Sequence, residues 1–168
     1  MKAKKEIEID LSELSEGLLK AIALKQHFGE EVFYKTEVDG SITPFNNEEF
    51  ESELEPIDGD NEFSNHIVLT DEEAYEKAKD YILESAWAFK PSWLSDFTGI
   101  HRAVFEAIQA NDRCESNNEA ILRLIGDDEE FVDEAIAADG RGHFLNTYDG
   151  HEHEERVNGQ TFYIYRMN

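Results

Sequence analysis

Residues 66–84, HIVLTDEEAYEKAKDYILE, carry the clearest signal for the fold of this chain. His66 to Leu69 is a short apolar run typical of a strand. Thr70 and Glu73 form a capping box, in which each side chain accepts a hydrogen bond from a backbone N–H that the helix leaves free. The stretch therefore predicts a strand and then a helix to about Phe89, before Lys90-Pro91, because the residue preceding proline disfavours the α conformation.

The residues before this stretch predict a mixture of short strands and one helix. Asp39-Gly40 between two apolar runs is a strong hairpin signal, and Gly29 is placed to stop the first helix. Residues 46–65 have no sustained hydrophobic period and predict a mobile acidic loop containing at most one helical turn. The predicted elements are disorder over 1–5, an edge strand over 6–9, a helix over 11–28 capped by Ser12 or Ser15, and a hairpin over 32–45.

The residues after it predict helices first and strands last. Glycines follow two of the helical patterns, and aromatic residues dominate the final segments. The predicted elements are a helical turn over 92–97, helices over 100–110, 117–125 (capped by Ser116, stopped by Gly126) and 128–138 (capped by Asp127, stopped by Gly140), and strands over 143–148 and 161–167 joined by a polar loop. The fold class is α+β, with a helix-rich middle, short antiparallel strands or hairpins at both ends, and one domain over 1–168.

Charge is the strongest functional signal. The chain has 15 basic and 39 acidic residues, a formal net charge of −24. Residues 36–76 contain 14 acids and no Lys or Arg, and residues 127–155 contain 11 acids against Arg141 alone. Such a chain repels nucleic acid and anionic membranes and attracts basic proteins. The alternative is that the acids only keep the protein in solution.

A partner-binding surface is predicted from three groups of acids and one aromatic residue. Trp93 is included because tryptophan is enriched among residues that dominate binding energy. For the aromatic residues around Pro91 as a group, core packing is the favoured interpretation, because aromatic residues at helical spacing normally face inward. The predicted partner-binding residues are Glu48, Glu49, Glu51, Glu53, Glu55, Asp58, Asp60 and Glu62; Asp71, Glu72, Glu76, Asp80 and Glu84; Asp127, Asp128, Glu129, Glu130, Asp133 and Glu134; and Trp93.

Catalysis and cofactor binding find little support in the sequence. There is no Gly-x-Ser-x-Gly, Walker A, Gly-x-Gly-x-x-Gly or His-Glu-x-x-His motif, so no catalytic residue and no cofactor are predicted. Cys114 is the only cysteine, which excludes an intramolecular disulfide and a cysteine-rich zinc site. No apolar leader or run of 18 apolar residues is present. We therefore expect a cytoplasmic protein.

A metal site is the alternative to a binding surface. His151 and His153 alternate along an extended chain and would point to one face, as zinc or iron ligands do, with His143 as a third ligand across the predicted hairpin. Histidines in a solvated loop are the simpler interpretation, because no side chain that would orient them is identifiable.

Two regions resemble segments of small acidic bacteriophage accessory proteins. They are Glu84-Ser85-Ala86-Trp87-Ala88-Phe89, and the tail from Ala138 to Gly150 with Phe162-Tyr163-Ile164-Tyr165-Arg166. The resemblance covers the second half of the chain and brings no catalytic motif. It implies a phage product acting in the cytoplasm of a host bacterium, where small acidic proteins block host enzymes or defence systems, some of them as DNA mimics.

The leading hypothesis is a non-enzymatic phage-type inhibitor. Its acidic surface would occupy the basic site of a host nucleic-acid-binding or defence protein, without direct contact with nucleic acid or membrane. The 24 negative charges equal those on about 40 Å of duplex DNA, close to the width of a domain of this size. The other hypotheses are a metal-binding protein or metal-dependent enzyme using the three histidines, and a structural or assembly protein, for which a homodimer is compatible with the sequence.

Overall fold

The computed structural model describes residues 9–36, 38, 41–110 and 114–168, without the side chains of Thr36, Ile42, Asn47 and Cys114. Eight α-helices and five strands lie in these described ranges, which confirms the α+β class, the helix-rich middle and the strands towards both ends. Residues 1–8 lie outside the ranges, so disorder over 1–5 and a strand over 6–9 stay predictions.

The chain divides into two compact units. The first comprises Met1–Ala74 and Thr147–Asn168, and the second comprises Tyr75–Asn146. The chain therefore leaves the first unit within a helix and returns to it after residue 146. That residues 1–168 form a single domain stays a prediction.

The first unit contains two helices and two small sheets. Its helices are α1 (Glu16–His27) and α2 (Asn47–Glu53), and its strands are β1 (Tyr34–Thr36), β2 (Ile42–Pro44), β3 (His66–Leu69), β4 (His153–Val157) and β5 (Gln160–Arg166). A 3₁₀ turn, Leu11–Glu13, precedes α1. β1 and β2 pair antiparallel as the predicted hairpin, while its Asp39-Gly40 turn lies outside the described residues.

The larger sheet has the antiparallel order β3-β5-β4. In the central strand, Ile164 pairs with Val68 of β3 on one side and with His153 of β4 on the other. Asn158 and Gly159 have φ angles of 50° and 80° and connect β4 to β5. Two successive positive φ angles are what a two-residue hairpin turn requires, and Asn-Gly adopts them readily.

This sheet corrects the predicted partner of the last strand. The strand predicted over 161–167 is confirmed as β5, but its predicted partner over 143–148 is wrong, because residues 141–145 form a helix. The partners are β3 and β4, and β4 lies where a polar loop was predicted. Both edges of β5 are taken by these strands, so residues 143–148 have no place beside it.

Helix α1 covers the core of the first unit. Ser15 caps it by accepting a hydrogen bond from Leu18 N at 3.3 Å, and Gly29 follows its end with a φ of 72°, as predicted. Buried side chains of α1 share one hydrophobic core with α2 and the larger sheet: Leu18, Leu19, Ile22 and Leu24 with Phe50, Leu54, Ile57, Val68, Phe162 and Ile164.

The loop predicted over 46–65 is corrected by α2. Asn46 and Glu49 form a capping box, with Glu49 N 3.0 Å from Asn46 Oδ1 and Asn46 N 3.4 Å from Glu49 Oε2. The segment then packs on α1 at Gly17, whose carbonyl accepts from Ile57 N at 3.0 Å. A Cβ atom at position 17 would lie 3.0 Å from the Ile57 carbonyl oxygen, so the close approach depends on glycine.

Lys20 of α1 is fully buried and binds two other segments of the first unit. Its Nζ donates to the Gly59 carbonyl at 2.7 Å and to the Glu73 carboxylate at 2.6 and 2.7 Å. The same carboxylate accepts from Thr70 N at 2.8 Å, while Glu73 N donates to Thr70 Oγ1 at 3.3 Å. The predicted capping box is thus confirmed, and its carboxylate also neutralises a buried ammonium.

The second unit is helical throughout its described residues. Besides the part of α3 (Asp71–Glu84) from Tyr75 onward, it contains α4 (Pro91–Thr98), α5 (Arg102–Gln109), α6 (Asn118–Ile125), α7 (Asp128–Asp139) and α8 (Arg141–Leu145), with 3₁₀ turns at Ala86–Ala88 and Cys114–Asn117. Asp127 caps α7 through Glu130 N at 3.0 Å, as predicted. Ser116 lies within a 3₁₀ turn, so the cap predicted there is wrong; Asn117 is the cap residue.

Helix α3 ends at Glu84, five residues before the predicted end at Phe89. Side chains from two other helices bind the backbone where it stops. Asn118 accepts from Trp87 N at 2.9 Å and donates to Leu83 O at 2.7 Å, and Gln109 donates to the carbonyls of Trp87 and Phe89, both at 2.7 Å. These bonds satisfy backbone groups that a longer helix would have paired internally.

Phe131 of α7 is the centre of the aromatic core in this unit. It is fully buried, and its ring centroid lies 5.0 Å from that of Phe89, 5.2 Å from Trp93 and 5.5 Å from Phe97. These distances are typical of packed aromatic pairs. The aromatic residues around Pro91 therefore contribute to the core, which confirms the favoured interpretation of that segment.

We expect Lys20→Met to lower the free energy of unfolding by about 3 kcal/mol, because it leaves the partly buried Glu73 carboxylate without its counter-charge. The matched control is Lys25→Met, which removes the exposed Lys25–Glu30 pair at 2.8 Å and should cost less than about 1 kcal/mol. Urea unfolding measures both. Equal effects of the two substitutions would contradict the role assigned to Lys20.

The same pair predicts a loss of stability in acid. Burial alone raises the pKa of Glu73, but hydrogen bonds from Lys20 and Thr70 outweigh burial and hold the pKa below its ordinary value of 4.5. The ionised form is therefore favoured by folding. Its contribution is present above pH 4.5 and is lost as the pH falls through the lowered pKa. Unfolding of a Glu73→Gln variant should lack this part of the acid dependence.

Candidate acidic interaction surface

Almost all of the predicted partner-binding acids are exposed in the structure. The exception is Glu49, which is half-buried, completes the α2 capping box and binds Lys35 Nζ at 2.7 Å. The hydrogen bond from Lys35 and that from Asn46 N hold the pKa of Glu49 below its usual range. Glu49 is therefore committed to the fold, while the other acids between residues 48 and 62 face solvent within the first unit.

Acids of α3 and α7 meet around the hydroxyl of Tyr75 in the second unit. Tyr75 Oη donates to Asp133 Oδ1 at 3.0 Å, and Lys79 Nζ lies 3.8 Å from Glu129 Oε1. Burial, the hydrogen bond to Asp133 and the negative charges of Asp133, Glu129 and Glu76 all raise the pKa of Tyr75. The structure thus brings together two of the three predicted acidic groups.

The exposed acids of α3 form one row along the helix. Glu72, Glu76, Asp80 and Glu84 recur every fourth residue and are all exposed, while Ala74, Ala78 and Ile82 are buried on the other side. On α7, Glu129, Glu130, Asp133 and Glu134 are exposed around the buried Phe131 and Val132. We call Glu76, Asp80, Glu129 and Asp133 the α3–α7 acidic face.

Few basic side chains offset this face. Helix α7 contains six acids and no Lys or Arg, and α3 contains six acids against Lys77 and Lys79. Four residues of an α-helix advance about 6 Å, so each row carries about one charge per 6 Å. Two such rows give about one charge per 3 Å, roughly half the linear density of duplex DNA.

Trp93 lies on α4, half-buried between the core and a cavity of about 350 Å³ in the second unit. Its ring packs against Phe89, with centroids 5.1 Å apart, and stacks on Phe97 at 5.8 Å. The residue therefore belongs to the core on one side and reaches a cavity on the other.

His151 and His153 lie close together, with ring centroids 6.5 Å apart, as the prediction of one shared face requires. The predicted hairpin with His143 as a third ligand is wrong. His143 lies on α8, so it does not face the other two across a hairpin. His153 is the first residue of β4, and His151, before that strand, interacts with Asp149 through both its backbone N and its ring. Among the described residues, no three His, Cys, Asp or Glu side chains are grouped closely enough to hold one metal ion.

A different histidine cluster, which the sequence did not suggest, forms in the first unit. The ring of His27, at the end of α1, lies 4.9 Å from that of His153 and 6.1 Å from that of His66, measured between centroids. His66 Nδ1 lies 2.7 Å from the Ser64 carbonyl oxygen and must carry a proton to donate to it. Three elements far apart in sequence supply these rings, so no local pattern could have revealed the cluster.

Comparisons with protein-family models, with curated proteins and with solved structures find no match. None of the helices in the described part of the chain is both long and apolar enough to cross a membrane.

The histidine cluster predicts a pH dependence near neutrality. Burial, and then the charges of His153 and His66, lower the pKa of His27 below its ordinary value of 6.5, against an opposing effect of Glu155. Folding therefore favours the neutral ring, so stability should fall as the pH drops below 6.5 and through the lowered pKa. We expect His27→Gln to reduce this dependence in urea unfolding between pH 8 and about 5, while the exposed control His143→Gln leaves it unchanged. Equal pH profiles of the two variants would contradict the assignment.

Proposed function

We propose that this chain is a non-enzymatic phage-type inhibitor that presents the α3–α7 acidic face to the basic site of a host nucleic-acid-binding or defence protein. The observation that carries the proposal is the convergence of Glu76, Glu129 and Asp133 around the Tyr75 hydroxyl. Two segments separated by some fifty positions in sequence contribute to one negative surface. The resemblance to phage accessory proteins supports a bacterial host for the partner.

Electrostatics favours a protein partner with a basic site. Like charges gathered on one face repel one another, and a cationic partner relieves that repulsion when it binds. A surface with roughly half the charge density of duplex DNA can compete for a site that binds phosphates, particularly at low ionic strength. The rest of the net charge of −24 repels nucleic acid itself.

The direct experiment is affinity capture from a bacterial lysate at low salt, followed by elution with duplex DNA and, separately, with high salt. A partner that occupies the acidic face should be eluted by both. Duplex DNA competes for the basic site of the partner, and high salt screens the attraction between that site and the acidic face. Retention of every captured protein in the presence of excess DNA would contradict the proposal. The alternatives, a metal-dependent protein and a solubilised assembly protein, do not require a partner that DNA displaces.

We expect the quadruple variant Glu76→Gln, Asp80→Asn, Glu129→Gln, Asp133→Asn to bind the captured partner at least about tenfold more weakly and with a flatter salt dependence. The asparagine at position 133 retains an acceptor for Tyr75. The matched control, Glu51→Gln, Glu53→Gln, Glu55→Gln, Asp58→Asn, removes the same charge from exposed acids of the first unit. Equal weakening by the two variants would show that only net charge matters and would contradict a defined face.

A further inference from the structure

The cavity beside Trp93 is built from aromatic and small side chains of the second unit. Tyr81, Phe89, Trp93 and Phe144 line it, with Ala88, Ala135 and Ala138 between them. Its volume of about 350 Å³ falls within the range of sites that bind ligands. Tyr81 is 51% exposed although its ring lies 6.2 Å from that of Phe144, so an apolar wall of the cavity remains open to solvent.

The charged groups of the lining nearly cancel. Lys90 and Asp139 contribute one charge of each sign, and His143 and Ser85 are the remaining polar residues. The Ser85 hydroxyl is already engaged, since its Oγ donates to Tyr81 O at 2.6 Å. A cavity with aromatic walls and little net charge suits an uncharged apolar side chain better than an ion.

The helices that line the cavity also carry the acidic face. Tyr81 and Ser85 belong to α3, the helix of Glu76 and Asp80, and Ala135, Ala138 and Asp139 belong to α7, the helix of Glu129 and Asp133. Exposed Glu84 directly precedes Ser85. A polypeptide that enters the cavity therefore passes acids on both helices, and charge complementarity selects basic residues on either side of its apolar anchor.

We propose that the cavity binds one large apolar side chain, aromatic or branched, from a partner segment in which lysine or arginine flanks that side chain. This inference rests on the proposed function and specifies how the partner docks. Binding energy at interfaces is concentrated in such buried anchors, while surrounding charges mainly set the association rate and the partner choice. The acidic face would thus supply attraction, and the cavity would supply most of the specificity.

The test uses two synthetic peptides, each with two lysines on either side of a central residue that is phenylalanine in one and alanine in the other. Fluorescence of Trp93 in a Trp87→Phe background reports binding. We expect the phenylalanine peptide to bind at least about tenfold more tightly, because one aromatic side chain is buried. Both peptides should show the same salt dependence, since they carry equal charge.

The protein variant that closes the cavity is Ala138→Phe, which adds no second tryptophan, and its control is Ala137→Phe, also exposed on α7 but not part of the lining. Circular dichroism and thermal unfolding establish that both variants fold. The first should abolish the difference between the peptides and the second should preserve it. Equal affinity of the two peptides for the parent protein, with a normal salt dependence, would overturn the cavity inference alone. Salt-independent binding, or no binding of either peptide, would overturn the acidic face and with it the inference.

Discussion

The Lys20 ammonium must be surrounded by oxygen atoms because it has no contact with solvent, and two other segments of the first unit supply them. The Gly59 carbonyl fixes the connection between α2 and β3, and the Glu73 carboxylate fixes the beginning of α3. Neither group alone could offset the cost of removing a charge from water. The buried core of α1 and β3 therefore depends on a polar contact formed by the same residue that caps α3.

In the second unit, polar backbone groups left unpaired at the end of a helix are bound by neutral side chains. Where α3 stops, the amides of Asn118 and Gln109 bind the backbone of the following 3₁₀ turn. That turn directs Phe89 towards Phe131, and the aromatic core around Phe131 holds α7 in place. The position of α7 in turn determines where Glu129 and Asp133 lie. The acidic face is thus a consequence of how two half-buried amides end a helix.

The sequence predicted most of the elements whose signals are local, missed two that were equally local, and failed where distant residues decide. The Thr70–Glu73 capping box, the Asp127 cap and the β1–β2 hairpin were confirmed because each depends on residues that are close in the chain. The Asn46–Glu49 capping box and the Asn158-Gly159 turn were equally local signals, and recognising them would have revealed α2 and β4.

Other features had no local signal at all. The aromatic residues of 143–148 favour a strand by composition, but Phe144 and Leu145 are buried on a short helix. Both edges of β5 are already paired, with β3 and β4, so a further strand cannot pair with it. The acids of the candidate surface were predicted individually. Their convergence on Tyr75, and that of His66 and His153 on His27, depend on tertiary contacts between segments that are far apart in the sequence.

The return of the chain to the first unit after residue 146 has a consequence for biosynthesis. The central strand β5 is synthesised after both of its partners. Strand β3 therefore leaves the ribosome long before β5, the only strand with which it pairs among the described residues. The intervening residues Tyr75–Asn146 form the second compact unit, which is synthesised completely before β4 and β5. Until Gln160–Arg166 emerges, the nascent chain exposes an unpaired apolar strand, the kind of surface that chaperones protect from aggregation.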